Sequence, residues 1–140
     1  MTYLVRMAQP TDAADLFPLV RDFATSFEPS REAFDVSFGQ LQEDESAWLG
    51  VTQAGSELIG YLLGFVHPTF FANGPVAWIE EVMVREDWRK QGIGRALTVE
   101  FERWAKVRGS KLVALATRRA APFYLAIGYE ESATYFRKVL

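Results

Sequence analysis

Apolar positions along the chain follow two alternating rhythms. Leu16, Leu19, Val20 and Phe23 recur every three or four residues, as do Phe34, Phe38 and Leu41. That spacing predicts helices over residues 12–24 and 31–43. Pro10 precedes the first, with Thr11 or Asp12 as its cap, and Ser30 caps the second, after the break at Phe27-Glu28-Pro29. The remaining apolar runs are strand-like. Residues 2–7 form a short one, and residues 47–53 and 57–67 flank Ala54-Gly55-Ser56 as the arms of a hairpin. Gly60 and Gly64 inside the second arm predict bulges or a close approach of another group. A loop at residues 68–75, with Phe70, Phe71 and Asn73-Gly74, leads into a strand over residues 76–84.

Helical spacing returns at residues 92–108, where Ile93, Leu97, Phe101, Trp104 and Ala105 share one side. Glu102 and Lys106, four apart, read as a surface ion pair, and Gly109 stands where a left-handed cap belongs. Residues 111–116 are continuously apolar after Lys111 and predict a buried strand. A strand, a helix and a strand of these lengths make a right-handed crossover between parallel neighbours. Pro122 is tolerated only in a first helical turn, so the last helix starts near Ala120 or Ala121 and stops at Gly128. A final strand is expected over residues 134–139. The whole is one domain of residues 1–140, an α/β (α+β) mixed, mostly antiparallel sheet with about four helices on its faces.

Composition narrows the chemistry. Half the residues are apolar (49%) and 14% aromatic, ample for one core in 140 residues. A net charge of −3 lacks the basic excess of a non-specific nucleic-acid binder. There is no cysteine, which removes disulfides, a thiol nucleophile and cysteine-bound zinc, and His67 is the lone histidine, so no metal site is expected. The opening Met1-Thr2-Tyr3-Leu4-Val5-Arg6 has no signal-peptide apolar region, and no apolar run is long enough to span a bilayer. The expectation is a soluble, cytoplasmic protein with no membrane partner.

One stretch is organised for anions. After the predicted strand ending Val82-Met83-Val84 comes Arg89-Lys90-Gln91-Gly92-Ile93-Gly94-Arg95, a charged turn running into a helix that opens on glycine. The first N–H groups of a helix lack internal partners and carry the positive end of its dipole. Two glycines leave that backbone bare, and phosphate oxygens bind such places. The spacing of a Walker phosphate loop and of the dinucleotide glycine fingerprint is absent. Arg89-Lys90-Gln91-Gly92-Ile93-Gly94 fits R/Q-x-x-G-x-G/A and so resembles the acyl-CoA pyrophosphate signature of the GNAT superfamily of N-acetyltransferases. The later run Phe123-Tyr124 through Gly128-Tyr129 is similar to that family's F-Y-x-x-x-G-F/Y helix, and the order of elements matches over nearly the whole chain.

The resemblance implies a direct transfer of acetyl from acetyl-CoA to a primary amine. It gives the amides of residues 91–95 to the pyrophosphate, with Arg89, Lys90 and Arg95 around them. Val82, Met83 and Val84 offer free backbone to the pantetheine arm, with an N–H near Val82 for the acyl oxygen. Tyr124 becomes the acid facing the departing sulfur. Thr117 stands where many members have asparagine, which puts that contact with pantetheine in question. An alkylammonium must lose a proton before attack, and Glu80 or Glu81 is the base, the balance leaning to Glu80, directly or through water. On a regular strand the two point to opposite faces, so one at most enters the cleft; the plain alternative is surface acids, or pairing with Arg89 or Arg6. The acceptor pocket is expected from residues 27–29, the loop at 70–74 and the turn before Thr134. The acceptor is then a small cationic molecule or a peptide amine. A non-catalytic acyl-CoA sensor or interaction module with the same fold is the competing expectation, and the aromatic C-terminal strand leaves a homodimer open.

Overall fold

The computed structural model describes residues 2–140. Five strands form one sheet in the order β1-β2-β3-β4-β5: β1 (Leu4–Met7), β2 (Ala47–Ala54), β3 (Glu57–Pro68), β4 (Pro75–Val84) and β5 (Val113–Leu115). The first four run antiparallel, while β4 and β5 are parallel and joined by a helical crossover. The helices are α1 (Ala13–Phe23), α2 (Arg31–Glu43), α3 (Ile93–Val107) and α4 (Ala121–Ala126).

The sheet is covered on both faces, which explains why β3 is almost uninterruptedly apolar. On one face Leu16 and Leu19 of α1 and Phe38 of α2 pack on Leu49, Val51, Tyr61 and Leu63. On the other, Ile93, Leu97, Phe101 and Ala105 of α3 pack on Ile59, Leu62, Ala77 and Ile79. Gly64 is explained by this second face. The Phe101 ring lies 2.4 Å from where a Cβ would stand, so any side chain there would displace a fully buried aromatic.

Caps follow the chemistry in one helix and depart from it in another. Ser30 Oγ accepts from Ala33 N at 3.1 Å and starts α2 as expected. Asp12 precedes α1 but does not cap it. Its carboxylate accepts from Gln9 N at 2.7 Å and from both terminal nitrogens of Arg6 at 2.8 and 2.9 Å. That bidentate pair holds the Asp12 carboxyl below its ordinary range and ties the end of β1 to the start of α1.

Three expectations are corrected at the C-terminal side. The strand read as buried is only three residues long, and all three are half-exposed. Residues 134–139 join no strand, and every residue of 131–140 is exposed. Glu102 does not pair with Lys106 but accepts from the Tyr129 hydroxyl at 2.7 Å, a contact to the chain segment beyond α4. No helix of the described residues is long and apolar enough to cross a membrane.

Candidate functional site

The bare helix start is present as a physical object. Lys90 and Gly92 both adopt left-handed backbone, at φ 63° and 83°, and turn the chain sharply into α3. Glycine suits the second position because L side chains strain that conformation. Ala96 N is the first α3 amide to bond within the turn, to Gly92 O at 3.0 Å. The amides of residues 91–95 have no backbone partner among the described residues. They stand at the positive end of a 15-residue helix.

The cations around the turn divide. Arg89 donates its Nε to Val84 O at 2.9 Å, and Arg85 is held by Asp87 at 2.7 Å and Glu57 at 3.4 Å. Lys90 and Arg95 form no ion pair among the described residues and remain exposed beside the amides. Gly94 has a packing reason as well: a Cβ there would stand 3.3 Å from the Phe123 ring and 3.9 Å from Val84. This contact seats α4 against the start of α3 and the end of β4.

Between the turn and the middle of the sheet, β4 parts from its neighbour. Pairing with β5 covers Ala77, Trp78 and Ile79 and stops there. Residues 81–84 continue to pair with β3 on one side and face no strand on the other. Val82, Met83 and Val84 therefore face no strand on one side, with Val84 O taken by Arg89, and their side chains are half-buried, with Val82 and Val84 packed on the α3 core and Met83 on the α1 core.

At the inner end of that gap the ladder is irregular, and this changes the place of the two glutamates. Leu63 faces Glu81 and Gly64 faces Ile79, so Glu80 is an extra residue on β4, a bulge. The bulge breaks the alternation expected of adjacent strand residues, and both Glu80 and Glu81 line the same cavity. Their environments differ. Glu80 is exposed and accepts from Trp78 Nε1 at 2.9 Å. Glu81 is half-buried and accepts from the Tyr61 hydroxyl at 2.7 Å. Burial pushes its carboxyl above the ordinary range, Tyr61 pulls it partly back, and the neighbouring charge of Glu80 raises it again. Neither glutamate forms an ion pair among the described residues: Arg6 is committed to Asp12 and Arg89 to a carbonyl.

The cavity measures about 500 Å³. Its walls are Phe34, Phe38 and Leu41 of α2, Leu16 and Val20 of α1, and Leu49, Tyr61, Leu63 and Phe65 of the sheet, with Asp44, Glu80 and Glu81 as its acids. Of the segments expected to build it, Pro29 contributes. Phe70 and Phe71 do not: they are exposed at the far loop. Tyr61 and the α2 face escaped the sequence reading because an apolar or aromatic residue with core spacing looks the same whether it meets packed side chains or a void.

Tyr124 is buried on α4, its ring edge-on to Phe123 at 4.9 Å and to Tyr129 at 5.6 Å. Burial raises its phenol above the ordinary value, so the group is a proton donor throughout the neutral range. The Tyr124 hydroxyl has no hydrogen-bond partner among the described residues, yet it is not sealed from solvent. Thr117 Oγ1 accepts from Ala120 N at 3.0 Å, shaping the turn into α4. Among the described residues no cluster of three or more histidine or acidic side chains is arranged to hold a metal ion.

Comparison with known structures places this geometry. The chain is similar over 99% of its length to all of a transcriptional regulator from Bacillus halodurans C-125, at TM-score 0.88 and 25% identity. It is similar over 99% of both chains to glucosamine-6-phosphate N-acetyltransferase from Arabidopsis thaliana, at TM-score 0.88 and 19% identity. Its full length also superposes on all of AAC(6')-Iy in complex with the bisubstrate analogue CoA-S-monomethyl-acetylneamine, at TM-score 0.84 and 17% identity. No curated protein sequence matches the chain. The model of the acetyltransferase (GNAT) family matches residues 13–129, from the first helix to the tyrosine that closes the last. A turn of unpaired amides, a strand freed from its neighbour and a family match spanning both agree, and the chain belongs to the GNAT acetyltransferase family.

Proposed function

We propose that the protein transfers an acetyl group from acetyl-CoA to a primary amine, by direct attack within a ternary complex. The observation that carries this reading is the course of β4. Beyond Ile79 it pairs with no strand on the β5 side, and this stretch runs from Glu80 and Glu81 at the acidic cavity to Val84, just before the turn that opens α3. The residues present suit acyl-CoA: unpaired amides with Lys90 and Arg95 for the diphosphate, and the strand-free side of residues 82–84 for the extended arm. Thr117, with its hydroxyl engaged by Ala120 N, contributes to that arm through the turn it shapes. The cosubstrate, when bound, supplies the acyl group as a thioester.

The chain's own residues then divide the work. An amine enters the cavity as an ammonium, attracted by Glu80, Glu81 and Asp44, and its apolar part lies on Phe34, Phe38 and Leu41. Glu81, ionised, takes the proton, directly or through a water. Its raised basicity suits this better than the exposed Glu80, because a base works best when its pKa approaches the working pH. Tyr61 holds the Glu81 carboxylate in one orientation. A backbone N–H near Val82 faces the negative charge developing on the acyl oxygen. The Tyr124 hydroxyl gives its proton to the leaving sulfur. With no cysteine in the chain, an acyl-cysteine route is closed.

The acceptor is a small cationic amine with an apolar portion, of a size to fit the cavity. Release of CoA measured over polyamines, aminoglycosides, amino acids and peptides tests this. Turnover with amines, lost in Glu81→Gln, supports the reading. Binding of CoA with no turnover of any amine would favour a non-catalytic sensor, and turnover confined to neutral alcohols would refute the acidic pocket as an amine site.

A further inference from the structure

The proposed acid sits on the least self-sufficient element of the fold. α4 has six residues, and a helix shorter than about 12–15 residues is marginal without outside support. Unlike the hydroxyls of Tyr61 and Tyr129, that of Tyr124 meets no hydrogen-bond partner among the described residues. Its direction therefore follows from how its ring is packed. Two rings bracket it edge-on, Phe123 at 4.9 Å and Tyr129 at 5.6 Å. Whatever fixes those two rings fixes the phenol.

The two are held differently. Phe123 lies against the start of α3, its ring 3.3 Å from where a Cβ of residue 94 would stand. That contact is apolar and has no preferred direction. Tyr129 is held by directed bonds. Gly128, at φ 100°, turns the chain after α4, and the Tyr129 N–H then bonds Tyr124 O at 2.9 Å. The Tyr129 hydroxyl donates to Glu102 Oε2 at 2.7 Å, the short length of a bond to a carboxylate. Burial raises the Tyr129 phenol and Glu102 raises it further, so the donor keeps its proton through the neutral range. Glu102 is half-buried on α3, the helix that Phe101 and Ala105 fix to the sheet. The transfer chemistry itself calls on neither Glu102 nor Tyr129.

We propose that Glu102 and Tyr129 are positioning residues for acetyl transfer: their hydrogen bond locks the Tyr129 ring against Tyr124 and so aims the phenol at the departing sulfur. α3 then serves the reaction at two places. Its start receives the diphosphate, and its middle sets the acid. One rigid helix thereby keeps the two ends of the cosubstrate in register. What Glu102 supplies is an acceptor, so an amide oxygen at the same position serves nearly as well. The inference rests on the reading of Tyr124 as the acid.

Tyr129→Phe keeps the ring and removes only the hydroxyl. It should lower kcat about threefold to tenfold, short of the roughly 10²-fold cost of a 1 Å misplacement, with KM for acetyl-CoA unchanged. Glu102→Leu should match it, while Glu102→Gln should keep most of the rate. A pair that acts through Tyr124 loses its effect once that hydroxyl is gone, so Tyr124→Phe with Tyr129→Phe should be no slower than Tyr124→Phe by itself. In protein carrying carbon-13 tyrosine, the Tyr124 ring signal is recognised by its absence in Tyr124→Phe. It should shift or broaden in Tyr129→Phe and Glu102→Leu and stay in place in Glu102→Gln. An unchanged kcat in Tyr129→Phe, losses that multiply in the double variant, or an unmoved Tyr124 ring signal overturns the proposal and leaves the acid role of Tyr124 standing. An unchanged kcat in Tyr124→Phe is a different failure, which removes the acid and the proposal with it.

Discussion

The two ends of the β4 gap are built on different principles. At the outer end, a short contiguous stretch presents backbone: the amides of residues 91–95, with Lys90 and Gly92 in left-handed conformation to aim them. At the inner end, side chains from two helices and three strands converge, and a bulge delivers two adjacent glutamates to one cavity. Backbone amides are common to nearly all sequences, so the outer end depends on shape and tolerates most side-chain changes. The inner end depends on identity, since each wall residue sets what fits and each neighbour of Glu81 sets its proton affinity. A common carrier at one end and a particular acceptor at the other would be served by this division.

The largest test of that contrast falls on the inner end. Glu81→Gln should lower kcat by roughly 10²–10⁴-fold, the usual contribution of a positioned base, with CoA affinity by calorimetry unchanged. On the outer end, Gly92→Val should weaken CoA about 10–100-fold, or about 1.4–2.7 kcal/mol. A branched side chain there strains the backbone and crowds the amides. The nearest group to a new Cβ is the Tyr3 hydroxyl at 3.8 Å, so the fold has room for it, and the melting midpoint checks this. If Gly92→Val binds CoA normally, the outer end is not a backbone site.

Tyr124→Phe should reduce kcat about tenfold or more without changing CoA affinity; an unchanged kcat would remove its acid role. Smaller effects separate the two glutamates through the pH profile. Activity requires ionised Glu81, so it rises as pH climbs through the raised carboxyl pKa and falls below it. Tyr61 lowers that pKa and Glu80 raises it. Tyr61→Phe should therefore move the acidic limb of kcat/KM to higher pH. Glu80→Gln should move it slightly the other way, changing the plateau rate only about twofold, as for exposed substitutions. A large loss in Glu80→Gln with little in Glu81→Gln would reverse the assignment of the base.

What could be read from the sequence follows the same division. Ser30, the Ala54-Gly55-Ser56 hairpin and the glycine-opened helix were legible because each is decided by residues adjacent in the chain. The bulge at Glu80 was not, because it is set by how Leu63 and Gly64 register against β4. Glu102 looked paired with Lys106 on its own helix, but the Tyr129 hydroxyl, brought by the turn after α4, takes it instead. Tyr61 carries the spacing of a core residue and is one, and its hydroxyl gains meaning only when Glu81 arrives from the next strand. Residues 134–139 have the composition of a strand, but strand formation needs a partner edge, which local sequence does not supply.

The central claim is that backbone amides past Arg89 receive the diphosphate of acyl-CoA. Its most direct test is titration of isotope-labelled protein with CoA, followed at every backbone N–H by nuclear magnetic resonance. The account predicts that the largest shifts fall at residues 91–95 and fade along α3. If those amides hold still while CoA binds through signals elsewhere, the account is contradicted.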